Sequence, residues 1–278
     1  MFIRLSGSLV GIATSAFFIS NKVYAKDATK RDSDSCPVHD RESVFKKIHT
    51  PKYYWDINWD RRDPKTIYST MGNPPPDTCD IPHKSRHLYL VRHGQYHSKA
   101  KRPEDKKLTE LGRKQAEFTG QRLRQLNLTF DKVYVSTMAR AKETGSIIVS
   151  SLPEDRVKSV ELSDLLPEGS PVPPEPPSGY HPASKYSEDG ARIEAAFRKF
   201  FHRADPSQRE HEHILLVCHA NVIRYFVCRA LQIPEEAWLR FSLKNGSITH
   251  LEIRPSGRVV ARGIGDAGFM PLDMITTS

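Results

Sequence analysis

The sequence predicts an α/β fold: a mostly parallel central sheet with helices on both faces, built by a single domain running from Arg86 to the C-terminus. Three observations predict it. From Arg86 onward, short β-rich runs alternate with stretches of helical period. A chain of 278 residues with 38% hydrophobic content is long and apolar enough to bury a substantial core. Its four cysteines are too few for a disulfide scaffold.

The elements follow in order. The run His87–Val91 is β-rich and ends in Arg92-His93-Gly94. Thr109 is a good N-cap for a helix over Glu110–Leu126, where Leu111, Phe118, Leu123 and Leu126 recur at roughly helical spacing. Asp131–Ser136 alternates Val133 and Val135 as a strand, and Arg140–Ser150 resumes helical character. Pro167 to Pro182 is too proline-dense for any element and long enough to line a site. Glu188–His202 then reads as a helix, Ile214–Cys218 as a buried strand and Val222–Leu231 as a helix. Thr249–Ile253 and Arg258–Ile264 form a hairpin around Pro255-Ser256-Gly257.

The first 85 residues divide in two. Residues 1–25 are an anchor or targeting segment, uncharged from Leu5 to Ile19. As a helix that stretch spans only about 22 Å, and extension to Ala25 brings it near the ~30 Å of a hydrocarbon core. Hydropathy fits a secretory signal, a membrane anchor with Lys22, Lys26, Lys30 and Arg31 downstream, or an import signal. Residues 26–85 read as a polar tether, with a short apolar face at Val44, Phe45 and Ile48. The tether contains Trp55-Asp56-Ile57-Asn58-Trp59-Asp60-Arg61-Arg62, with two of the chain's three tryptophans. Those rings either pack on the neighbouring domain or anchor a protein partner.

The formal net charge is +9, from 42 basic and 33 acidic residues. The positive residues are dispersed. The densest runs, Lys22–Arg31 and Lys99–Lys107, are diluted by carboxylates and lack interleaved aromatics, so no nucleic-acid partner is predicted. Position carries the chemistry instead. His93 follows one predicted strand and His219 another, while Arg140 opens the helix after a third. In open α/β sheets, ligands bind beyond the carboxyl ends of strands. Two histidines with Arg92 and Arg140 there make a pocket for an oxyanion, because guanidinium forks bind phosphate oxygens in pairs. The helix N-terminus near Asn221 adds backbone donors. His211, His213 and His219 form the alternative, a zinc set; the reading adopted has no metal and no cofactor.

Several stretches together carry a resemblance. They are Leu90-Val91-Arg92-His93-Gly94, Leu108-Thr109-Glu110-Leu111-Gly112, Ser136-Thr137-Met138-Ala139-Arg140 and Cys218-His219-Ala220-Asn221. The chain from Arg86 onward resembles the histidine phosphatase superfamily that includes phosphoglycerate mutases. Its likeness is strongest to a mitochondrial serine/threonine phosphatase branch, through Trp55–Arg62, Gln95-Tyr96-His97 and Gly268-Phe269-Met270-Pro271. The resemblance implies that His93 accepts the phosphoryl group, that Arg92, Arg140 and His219 bind its oxygens, and that Glu168 donates a proton. It implies a metal-independent protein phosphatase acting on phosphoserine or phosphothreonine, with an apoptosis signal-regulating type of kinase as one substrate. It also implies an anchor through residues 5–25 in a mitochondrial membrane, the outer one favoured. Trp55, Asp56, Asn58, Trp59 and Asp60 would drive homo-oligomers, a dodecameric ring among them, and activate the enzyme. The mutases differ at Gln95 to Lys99 and at Ala220, so little mutase activity is expected, and a wide, partly uncharged rim suits a phosphopeptide.

Overall fold

The computed structural model describes residues 53–277, except 73, 75–76, 78–80 and 179–181. The segment 1–25, the apolar face at Val44 to Ile48, and Cys36 and Cys79 lie outside the described residues. No helix among the described residues is long and apolar enough to cross a membrane.

Tyr53–Ser278 forms one compact unit, so the boundary drawn at Arg86 from sequence falls inside it. A short helix, α1 (Pro64–Thr70), starts where Asp63 accepts from Thr66 N at 3.0 Å and Pro64 occupies a position needing no amide donor. The sheet strands are β1 (Arg86–Arg92), β2 (Lys132–Ser136), β3 (Val160–Ser163), β4 (Glu212–Cys218), β5 (Ile248–Ile253) and β6 (Val259–Asp266). They lie in the order β3-β2-β4-β1-β5-β6. The pairs β3/β2, β2/β4 and β4/β1 are parallel, and β5 and β6 add an antiparallel edge. The sheet is therefore mostly parallel, and the hairpin expected at the C-terminus supplies the mixed part.

The helices are α2 (Glu110–Gln125), α3 (Ala139–Ser151), α4 (Ala183–Phe200) and α5 (Ala220–Ala230). Successive side chains of a strand point to opposite faces, and the core obeys that rule. Tyr89 and Val91 of β1 join Leu123 of α2 and Ile148 of α3 in one apolar cluster. Leu88 and Leu90 join Ile193 and Phe197 of α4 and Phe226 of α5 in another. Each central strand is thus covered twice, which is why it reads as an unbroken apolar run.

Two elements depart from the sequence expectation. Helix α4 starts at Ala183, directly after Pro182, because proline tolerates the position before a helix and forbids only its interior. Strand β3 escapes the pattern altogether: Val160 and Leu162 are exposed at the sheet edge, so no alternation marks it. The zinc set is ruled out by geometry. His213 and His219 sit at opposite ends of β4, separated by about 20 Å of extended chain.

Candidate active site

The parallel strands β1, β2 and β4 all present their carboxyl ends on one side of the sheet. Pairing of β1 with β4 puts Arg92 opposite Cys218, and His93 N donates to the Cys218 carbonyl at 3.1 Å. That register brings His93 and His219 together across a separation of over a hundred residues, their ring centroids 5.0 Å apart. Beyond β2, Ser136 and Arg140 reach the same place.

The Arg-His-Gly turn is locked by a close backbone crossing. A Cβ on Gly94 would strike the Gly112 carbonyl, and one on Gly112 would strike the Gln95 carbonyl. Both motifs therefore need glycine for packing. Gly94 N also donates to Thr144 of α3 at 3.1 Å, and Asn245 Nδ2 donates to the His93 carbonyl at 3.2 Å. Asn245 is fully buried in that role, so its Asn-Gly-Ser sequon is structural and not a surface acceptor.

His93 is 2% exposed. Its Nδ1 lies 2.7 Å from the Gly94 carbonyl, so Nδ1 carries the proton. Nε2 is left with its lone pair, and Arg140 Nε donates to it at 3.1 Å. Burial, then the Arg140 charge, hold this imidazole well below its ordinary pKa. His93 is therefore neutral at physiological pH, with a nucleophilic nitrogen fixed in place.

His219, at the start of α5, is 0% exposed and likewise held neutral, by burial first and then by His93 and the guanidinium groups. Its Nε2 is 2.8 Å from Ser136 Oγ, while its buried Nδ1 has no hydrogen-bond partner among the described residues. Met138 N donates to the same Ser136 oxygen at 3.4 Å, occupying one of its two lone pairs. In the tautomer where Ser136 donates, Nε2 accepts and Nδ1–H is a donor suited to a phosphoryl oxygen. Ser136→Ala should remove the bond that sets this tautomer. The expected result is a fall in kcat on the order of 10²-fold, as for loss of one oriented transition-state donor. Ser136→Thr should restore it, whereas a merely structural role would lower the thermal midpoint and leave kcat alone.

Arg92 is anchored by donating Nη1 to the carbonyls of Leu243 at 2.6 Å and Thr277 at 2.8 Å, and its buried Nε has no hydrogen-bond partner among the described residues. Burial lowers its pKa to about 10 against the raising influence of Glu168, so the guanidinium stays charged at neutral pH. Arg140 lies with its guanidinium carbon 4.5 Å from the Tyr96 ring centre. Glu168 Oε1 accepts from the amides of Asn221 at 3.2 Å and Gly169 at 3.3 Å. The first-turn amide of α5, expected from sequence to face a ligand anion, is thus engaged by this carboxylate. Burial raises the Glu168 pKa against the amides and the two guanidinium groups, favouring a carboxyl that can hold a proton.

The proline loop that carries Glu168 is tied to α4. Arg192 donates to the carbonyls of Leu165 at 3.1 Å, Pro167 at 2.7 Å and Glu168 at 3.3 Å, and Asp189 accepts from Ser170 N at 3.0 Å. All five residues assigned to phosphoryl chemistry from sequence therefore converge. Sequence reasoning gave no role to Ser136 or Arg192. Ser136 stood two residues after Tyr134 at a strand's end, where it could have been paired with a histidine.

A cleft of about 1230 Å³ opens here, its walls including Tyr96, Met138, Arg140, Glu168 and Asn221. His93, Arg92 and His219 lie buried behind the Arg140 wall.

The tryptophan segment is divided by the structure. Trp59 packs against Phe197 at 5.8 Å between ring centres and donates Nε1 to the Gly257 carbonyl at 2.7 Å. Asp60 is buried against Arg203, and Asp56 exchanges two hydrogen bonds with Gln232. Asn58 is internal to the turn, its side chain accepting from Asp63 N at 3.0 Å. Trp55 is 37% exposed, beside exposed Tyr53, Tyr54 and Ile57. One ring packs on the domain and the other faces outward.

Comparison with known proteins shows the family. The model of the histidine phosphatase superfamily (branch 1) matches residues 88–263. The Mus musculus protein named serine/threonine-protein phosphatase PGAM5, mitochondrial, is 52% identical over 236 residues, 81% of each chain. The Drosophila ananassae protein of that name is 49% identical over 80% of each. A solved phosphoglycerate mutase from Plasmodium falciparum is 34% identical, covers 68% of this chain and 96% of its own, and has a TM-score of 0.48. With about half of the aligned residues identical across four-fifths of the Mus musculus and Drosophila ananassae proteins, and a family motif at each of the three strand ends, this chain belongs to the histidine phosphatase superfamily.

Proposed function

We propose that the protein is a metal-independent phosphatase of phosphoserine and phosphothreonine in proteins, working through a phosphohistidine on His93. The observation that carries this reading is the tautomer of His93: Nδ1–H donates to the Gly94 carbonyl, so the Nε2 lone pair is left to form a bond to phosphorus. Arg140 would leave Nε2 for the phosphoryl oxygens, joining Arg92 and His219 Nδ1–H around the three equatorial oxygens. Phosphoryl transfer needs mostly such positioning and positive charge. As Nε2–P forms and P–O breaks, Glu168 would protonate the departing serine or threonine oxygen. Water would then attack phosphorus, giving its proton to Glu168 and releasing inorganic phosphate and free imidazole.

The names of the relatives support a mitochondrial location, and the uncharged run from Leu5 to Ile19 supports residues 5–25 as an anchor. The exposed row Tyr53, Tyr54, Trp55 and Ile57 supports self-association through the tryptophan segment. The test of the phosphatase reading is the intermediate. Enzyme mixed for milliseconds with a ³²P-phosphoserine peptide and quenched in alkali should carry label that acid removes and base does not, the signature of a phosphoramidate. Label stable in acid, or none in a burst of turnover, would exclude the His93 route.

A further inference from the structure

Charge pairing around the cleft leaves an excess of one sign. Its wall carboxylates are engaged: Glu143 with Arg113 at 2.7 Å, Glu104 with Arg102 at 3.5 Å, and Asp189 with Arg192 at 3.2 Å and Lys185 at 3.4 Å. Glu168 is bound by two backbone amides. Three lysines of the same walls, Lys106, Lys107 and Lys142, form no ion pair among the described residues.

Their backbones are nonetheless fixed. Lys106 N closes the turn over Pro103–Asp105 by donating to Pro103 O at 3.2 Å. The Lys107 carbonyl accepts from His97 N at 2.9 Å, and the adjoining Leu108 pairs with Tyr96 as a β-bridge. Lys142 stands on the first turn of α3, two residues beyond Arg140. The rim is thus a rigid frame carrying unmatched ammonium groups. At about 1230 Å³ the cleft is also larger than the pockets that enclose a drug-sized molecule, so a phosphorylated side chain leaves most of it for neighbouring residues.

We infer that Lys106, Lys107 and Lys142 read carboxylates beside the phosphorylated residue, making acidic phosphopeptide segments the preferred substrate class. This rests on the protein phosphatase reading above. A phosphate near two negative charges, flanked by Asp or Glu, presents a dense anion that a neutral rim would not favour. Exposed lysine–carboxylate pairs are individually weak and screened by salt, so the effect is selective at low ionic strength and fades as the Debye length shortens.

The test compares kcat/KM of the full chain for phosphoserine peptides that carry Asp, Ala or Lys at the positions on either side of the phosphoserine. Roughly tenfold preference for the Asp peptide over the Ala peptide is expected in low salt, shrinking as salt is raised. The Lys106→Glu/Lys107→Glu/Lys142→Glu variant should reverse the order of the Asp and Lys peptides. Hydrolysis of p-nitrophenyl phosphate, which has no flanking residues, reports whether its phosphoryl pocket is intact. A variant that has lost that hydrolysis is replaced by the three single substitutions, each of which should narrow the preference. Equal kcat/KM for Asp and Ala peptides in the unsubstituted chain would overturn the inference. So would a preference that survives all the substitutions. Turnover of p-nitrophenyl phosphate with none of any phosphopeptide would instead overturn the protein phosphatase reading, and this inference with it.

Discussion

His93→Ala should abolish turnover of phosphoserine peptides, by at least about 10⁴-fold, while the protein stays folded. The size of the effect follows from what the imidazole supplies. It is neutral, because burial and the Arg140 charge both oppose protonation, and its proton is confined to Nδ1 by the Gly94 carbonyl. Nothing nearby can take its place as nucleophile. His219 is held through Nε2 by Ser136 Oγ, and Cys218 is buried with its thiol pushed above the ordinary range, which denies it the thiolate form. The fold should survive because position 93 is held through its backbone, by donation to Cys218 O and acceptance from Asn245 and Gly246. Phosphate release measured beside far-ultraviolet circular dichroism decides the matter. Native ellipticity with more than about 1% of the original kcat would remove His93 from the nucleophile's role.

The pocket was legible in sequence because its parts are local. Arg92, His93 and Gly94 are consecutive and end a strand, and Arg140 lies four residues beyond the end of another. Strand-end position is a property that hydropathy can predict, and parallel strands then bring the ends together. What held those residues in place was not legible. The bond from Ser136 to His219 spans 83 residues, and that from Arg92 to Thr277 spans 185. Neither has a local pattern, because a side chain paired with a distant backbone group leaves no trace in periodicity. Glu168 is the middle case. A proline-dense loop reads as mobile, yet Arg192 holds three of its carbonyls, and the helix bearing that arginine was correctly read around it. Edge strand β3 was missed for the opposite reason: its outward Val160 and Leu162 give it no buried face to record.

Arg203→Ala should be the most destabilising single change outside the pocket, and it shows why the segment 53–63 is part of the domain. Arg203 is 1% exposed, an unusual state for an arginine, and its guanidinium answers groups from that segment alone. It donates to Asp60 at 2.9 Å, to Asp63 at 3.1 Å and to the Ile57 carbonyl, while its own amide donates to Asp60 at 2.7 Å. The Asp60 side chain is fully buried there. Alanine would leave that carboxylate without its counter-ion inside the protein, a loss of about 3–5 kcal/mol for one partner of a buried pair. In a unit of this size that corresponds to a thermal midpoint lower by roughly 10 °C. The pair need not add net stability over an apolar replacement of both partners. Arg203→Met combined with Asp60→Asn should therefore recover part of the loss, whereas equal loss in single and double variants would mean that packing alone is at stake. Acid should act in the same direction. Burial opposes ionisation of Asp63, but bonds from Thr66 and the Arg203 charge outweigh it and hold the carboxyl below its ordinary pKa. A depressed carboxyl stabilises the fold above its unfolded pKa near 4, and that contribution is lost as pH falls through the lower folded value. Arg203→Ala should thus lose midpoint at pH 7 and little further on acidification, while the unsubstituted chain falls toward it. Parallel midpoint curves for the two from pH 7 to pH 3 would sink the assignment of this stability to the Arg203–carboxylate cluster.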